Sequence, residues 1–160
     1  MKTVRLLSIF ALSLSLTLMG LSSVSASNKE DKFETFLDLT VEFDEAMETY
    51  FDMSEDVLTP SEHALNAADT FNHLVNIEYE AYGLPTHKCF VGKTDAYWSF
   101  INFVQANQTV VAAWLAINSQ TVGITIEDDA VDGMFNWVEA TENSYIRTFN
   151  KAVERCWGDV

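Results

Sequence analysis

From Phe36 to Met53 the chain reads FLDLTVEFDEAMETYFDM, and its apolar members recur with a fixed rhythm. Phe36, Leu39, Phe43, Ala46, Tyr50 and Met53, continued by Val57, are spaced by three and four residues, which places them on one side of an α-helix. The spacing predicts a helix of about eight turns from Asn28 to Leu58. Between the apolar positions stand Asp38, Glu42, Asp44, Glu45, Glu48, Asp52, Glu55 and Asp56, so the remaining faces are acidic and are read as solvated. A helix with one apolar stripe needs other helices to cover it. The heptad-like spacing suits packing within one bundle or a two-chain coiled coil; three heptads favour the bundle, with a homodimer left open.

Working outward, the rest of the chain repeats this logic. Thr59-Pro60-Ser61-Glu62 is a helix start, with Pro in the first turn and a hydroxyl available as cap. The helix it opens is predicted to bury Ala64, Leu65, Ala68, Phe71, Val75 and Tyr82, and to stop at Gly83-Leu84-Pro85 with Gly83 in the left-handed cap. A loop from Thr86 to Lys93 carries Cys89. A third helix, about Asp95 to Asn118, has so broad an apolar face that it belongs at the centre. An extended connection follows, and Thr125 with Asp128 resembles a capping box. Gly133 and the cluster Thr141-Glu142-Asn143-Ser144 interrupt the final pattern, so residues up to Trp157 are read as two helices with a kink near Thr141. In the second of these, Arg147, Lys151 and Arg155 stand four apart on a separate face. The expected fold is all-α: a compact bundle of about five helices with one disulfide.

Composition narrows the functional classes. The chain has 160 residues, 48% hydrophobic and 21% charged, with 24 acidic against 9 basic side chains and a net charge of −15. That suits one folded domain, too apolar to be disordered and too acidic to seek nucleic acid unaided. Lys2 and Arg5 precede an apolar run from Leu6 to Leu21, and Val24-Ser25-Ala26 ends it with small side chains. This predicts a signal peptide over 1–26, a single helical domain over 27–160, and a periplasmic or secreted product. The mature chain carries 24 acids and 7 bases, a charge of −17. No later segment reads as a membrane span. Cys89 and Cys156 are the only cysteines; in an exported chain the pair is read as a disulfide, two free thiols being the alternative. Closing so long a loop contributes about 4 kcal/mol in the chain-entropy picture.

Chemistry-bearing patterns are scarce. His63, His73 and His87 have no Glu-x-x-His partner, and His63 and His73 are about 80° out of register on a helix, so no metal site and no cofactor are expected. Carboxylates are abundant, yet none is marked as the apolar member of an acid-base pair. There is no nucleophile elbow, phosphate loop or calcium loop. Asn107-Gln108-Thr109 is a glycosylation sequon placed inside a helix. The protein is therefore read as a non-enzyme.

Three segments carry a resemblance. Gly92-Lys93-Thr94-Asp95-Ala96 precedes a helix; Gly123-Ile124-Thr125 opens another that includes Val131, Phe135, Trp137, Val138 and Glu139; Phe149-Asn150-Lys151-Ala152-Val153 leads to Cys156. Over Cys89 to Trp157 this resembles the Rap/Tai family of small exported helical proteins, known as periplasmic immunity proteins against type VI secreted peptidoglycan amidases. The chain departs from the family pattern in the short step from Cys89 to Gly92, and in Glu139-Ala140-Thr141 where a His-Pro turn often stands. The resemblance implies an inhibitor, with no catalytic residues to carry over. Independently, many wall hydrolases are basic, and an anionic inhibitor gains encounter rate from the opposite field. Glu127, Asp128 and Asp129 are the expected contact edge for such a partner. The competing expectations are an exported carrier of an apolar small molecule, which requires a cavity lined by Phe and Trp, and a structural or stress protein whose acidity reflects a saline habitat.

Overall fold

A computed structural model of the chain describes residues 30–55, 58–84, 95–119 and 127–157, with side chains over 34–54, 58–84, 95–119 and 127–155. These form four helices: α1 (Glu30–Glu55), α2 (Pro60–Gly83), α3 (Ala96–Asn118) and α4 (Asp128–Trp157). Contacts between them define an up-down-up-down bundle. Asn66 at the start of α2 donates to the Tyr50 carbonyl late in α1, Gln108 of α3 reaches the Leu74 carbonyl of α2, and Tyr145 of α4 stacks on Phe103 of α3. Each helix thus runs against the previous one, as short connections favour. Among the described residues there are no strands, and the expected all-α class holds.

The core is aromatic and joins α1, α3 and α4. Phe36 and Phe43 of α1 meet Phe100 edge-on at 5.5 and 5.9 Å, Phe43 tilts against Phe103 at 5.0 Å, and Phe149 lies 6.4 Å from Phe36 in stacked orientation. Such offset and edge arrangements bring negative ring faces to positive ring edges, adding roughly 0.5–1.5 kcal/mol per pair to area burial. α3 is central, as its composition implies: ten of its residues are buried, from Ala96 to Val111. By length and composition Ala96–Asn118 is also apolar enough to cross a membrane. That corrects the reading that no later segment qualifies; here the buried part of the apolar face packs against α1, α2 and α4.

The local signals hold in part. Thr59 accepts from the Glu62 N–H, and Glu62 accepts from the Thr59 N–H at 2.7 Å, a reciprocal capping box that opens α2. At its far end Gly83 is the last helical residue and takes no left-handed cap; extended Leu84 closes the turn by donating to the Ala81 carbonyl. The buried face of α2 is rotated from the expected one. Ala67, Thr70, Leu74, Ile77 and Ala81 point inward, while Leu65, Val75 and Tyr82 are exposed.

The expected five helices are corrected to four in the described residues, because α4 continues through Thr141. Its hydroxyl folds back on the Trp137 and Val138 carbonyls and Thr148 does the same one turn pair later, so neither competes with the helix by capping a new start. Val138, Tyr145 and Phe149 pack on the core across the supposed break and hold one axis. The proposed signal segment, Cys89, His87 and Thr125 lie outside the described residues, as does the side chain of Cys156.

Candidate acidic groove between the first two helices

α1 lies more loosely on α2 than α3 does on its neighbours. The facing residues explain why. Glu42 and Glu45 project from α1 where Asp69 and His73 project from α2, and like charges on facing helices cannot close a dry seam. The result is an open groove of about 610 Å³.

Because the helices are antiparallel, the lining is ordered in layers. His73 Nε2 lies 2.8 Å from Glu42 Oε1, both side chains 46% exposed, forming one end. Glu45 and Asp69 come next, and neither has a hydrogen-bond or ion-pair partner among the described residues. Thr49 and Asn66 occupy the middle. Met53, Leu58 and Leu65 form the far end, with Leu65 65% exposed. Glu62 also lines that end, but the Thr59 hydroxyl and N–H bind its carboxylate and hold its pKa below the ordinary range. The groove therefore grades from unneutralised carboxylates to exposed aliphatic surface over about 16 Å, the rise of α1 from Glu42 to Met53.

A second acidic feature lies on the seam of α1 with α4. Asp44 and Glu142 are half-buried there. Burial, then the charge of Glu48, pushes Asp44 up to about 6. Burial, then the charges of Asp44 and Glu139, pushes Glu142 up to about 7. The Asp44 charge thus adds to the burial that holds Glu142 above the usual carboxylate range. Beside them the Tyr145 hydroxyl, raised by burial and by Asp44, has Thr40 as hydrogen-bond partner.

The expected contact edge has a local structural role. The Glu127 carbonyl accepts the Ala130 and Val131 N–H groups, closing the first turn of α4, and Asp128 and Asp129 sit in that turn, where acids complement the helix dipole. All three are exposed, and none of them lines the groove. His63 is half-buried and no group of three metal-ligating side chains gathers among the described residues. Asn107 of the sequon is buried and donates to the Phe103 carbonyl, leaving no room for a glycan on the folded bundle. Tyr79, Tyr82 and Trp98 form an exposed aromatic patch on the α2 and α3 flank, with Tyr82 and Trp98 rings 5.7 Å apart.

The groove was not read from the sequence. In the sequence Glu42 and Glu45 read as part of a solvated face, and the α2 residues that share the groove with them are far away in the chain; the one signal is the excess of acids on both strips of helix surface. Compared with protein-family models, with curated proteins and with solved structures, the chain finds no match.

Proposed function

We propose that this protein is an exported, acidic binding protein that neutralises a basic cell-wall-degrading enzyme of the peptidoglycan amidase type, an immunity or inhibitor role. It blocks an enzyme rather than being one. In this reading residues 1–26 are removed as a signal peptide, Cys89 and Cys156 join in a structural disulfide in the periplasm or outside the cell, and the mature protein uses no cofactor. The observation that carries the proposal is the groove between α1 and α2, where carboxylates without partners adjoin exposed aliphatic side chains. Charge steers a basic partner, and apolar surface retains it after contact. Glu127, Asp128 and Asp129 form a secondary acidic edge.

The carrier alternative draws less support. No Phe or Trp lines the groove, and the core rings Phe36, Phe43, Phe100, Phe103 and Tyr145 are packed against one another. The test is direct: protein beginning at Ser27 is titrated into peptidoglycan amidases of the producing cell, including any encoded beside it. Inhibition near one-to-one stoichiometry is expected. Unchanged turnover of every such hydrolase overturns the reading.

A further inference from the structure

We infer that the groove receives a basic amphipathic helical segment of the partner protein, with two cationic side chains between Glu45 and Asp69 and aliphatic side chains on Met53, Leu58 and Leu65. This rests on reading the chain as a binding protein and specifies what its groove takes.

Three observations converge on that occupant. First, Glu45 of α1 and Asp69 of α2 both line the groove without a cation among the described residues, while His73 is already engaged by Glu42. Carboxylates lining one groove from opposite walls repel, and a Lys or Arg between them removes the repulsion. Second, the opposite end offers Leu65 and Met53 to solvent at 65% and 39% exposure, with its one acid, Glu62, already bound by Thr59. An isolated cation would leave that surface wet. Third, the groove runs about 16 Å between two parallel walls, three helical turns in length, and helix-in-groove recognition places anchors one turn apart on one face of the incoming helix. A purely apolar ligand would strand the carboxylates, and a simple polyamine would leave the aliphatic end uncovered.

The probe is a synthetic helical peptide of about twelve residues, three turns, with two Arg at one end of a face and three Leu at the other. A scrambled peptide of identical composition and charge serves as its control, and binding to the intact mature protein is followed by fluorescence anisotropy. The ordered peptide is expected to bind at least about tenfold tighter than the scrambled one, and Glu45→Gln with Asp69→Asn to weaken it about tenfold. The deciding variant is Leu65→Glu. The site is exposed, so folding is retained, and the change adds negative charge. Bulk attraction predicts equal or tighter binding, whereas the inferred seat predicts a loss of about fivefold or more. Equal binding of the two peptides, or unchanged or tighter binding on Leu65→Glu, overturns the inference. Its failure is distinct from that of the proposed function: a hydrolase still inhibited while the peptide ignores the groove removes only the occupant, and peptide binding without any hydrolase inhibited removes only the target.

Discussion

Asp44 and Glu142 show how single residues tie this fold to pH. Their carboxyls ordinarily titrate near 3.8 and 4.5 but are raised to about 6 and about 7 in the folded bundle, first by burial and then by neighbouring acids. A carboxyl whose folded pKa is raised favours the native state while protonated. The stabilisation is complete below about pH 4 and is lost as pH rises through the folded values. Melting temperature should therefore climb as pH falls from 8 to 5. Asp44→Asn with Glu142→Gln should raise stability at pH 8 by on the order of 1 kcal/mol, partial exposure having reduced the figure, and should flatten the pH profile. A double variant that melts lower than the parent at pH 8 would show the carboxylates to be stabilising there, contrary to this assignment. Neither residue stands out in the sequence, because α1 and α4 are distant in the chain and each position is one acid among many.

At the scale of elements, α4 is instructive. Gly133 and Thr141 argued for a break, yet the helix is continuous, since a long amphipathic face packed on the core outweighs two weak helix formers. A Cβ at Gly133 meets nothing within 4 Å, and the residue is exposed and helical. Gly133→Ala should therefore stabilise the protein by about 0.5–1 kcal/mol through lost freedom of the unfolded chain. A fall in the thermal midpoint would contradict the straight helix. Elsewhere legibility followed the clarity of the apolar stripe. In α1 the periodic Phe36, Leu39, Phe43 and Tyr50 are all buried, and in α3 nearly every apolar residue of the first four turns is. In α2 the pattern misled, because Asn66 and Thr70 take buried positions while Leu65, Val75 and Tyr82 face outward. Buried Asn66 is tolerated there because its amide donates to the Tyr50 carbonyl. A reading by hydrophobicity alone has no means of seeing that bond, and it turns the helix by more than a third of a circle.

The whole molecule carries an excess of 15 negative charges. The aromatic core tolerates it because the acids lie on outer faces and along two seams, where repulsion opens the α1 and α2 groove rather than the centre. The fold class was legible because helical periodicity is local. The groove was not, since it is made by residues such as Glu42 and His73 that meet only after the bundle forms. Long-range steering is screened beyond about 8 Å at physiological salt, so charge alone gives encounter and the groove must give retention.

That division is tested most directly by the inhibition of a basic peptidoglycan amidase with two variants of equal charge loss at physiological salt: Glu42→Gln, Glu45→Gln, Asp69→Asn in the groove, and Glu127→Gln, Asp128→Asn, Asp129→Asn at the start of α4. The groove variant is predicted to lose at least about tenfold in inhibition constant and the helix-start variant no more than about threefold, with both showing similarly slowed association. Equal losses from the two would mean that only bulk charge matters, and would contradict the groove as the seat of binding.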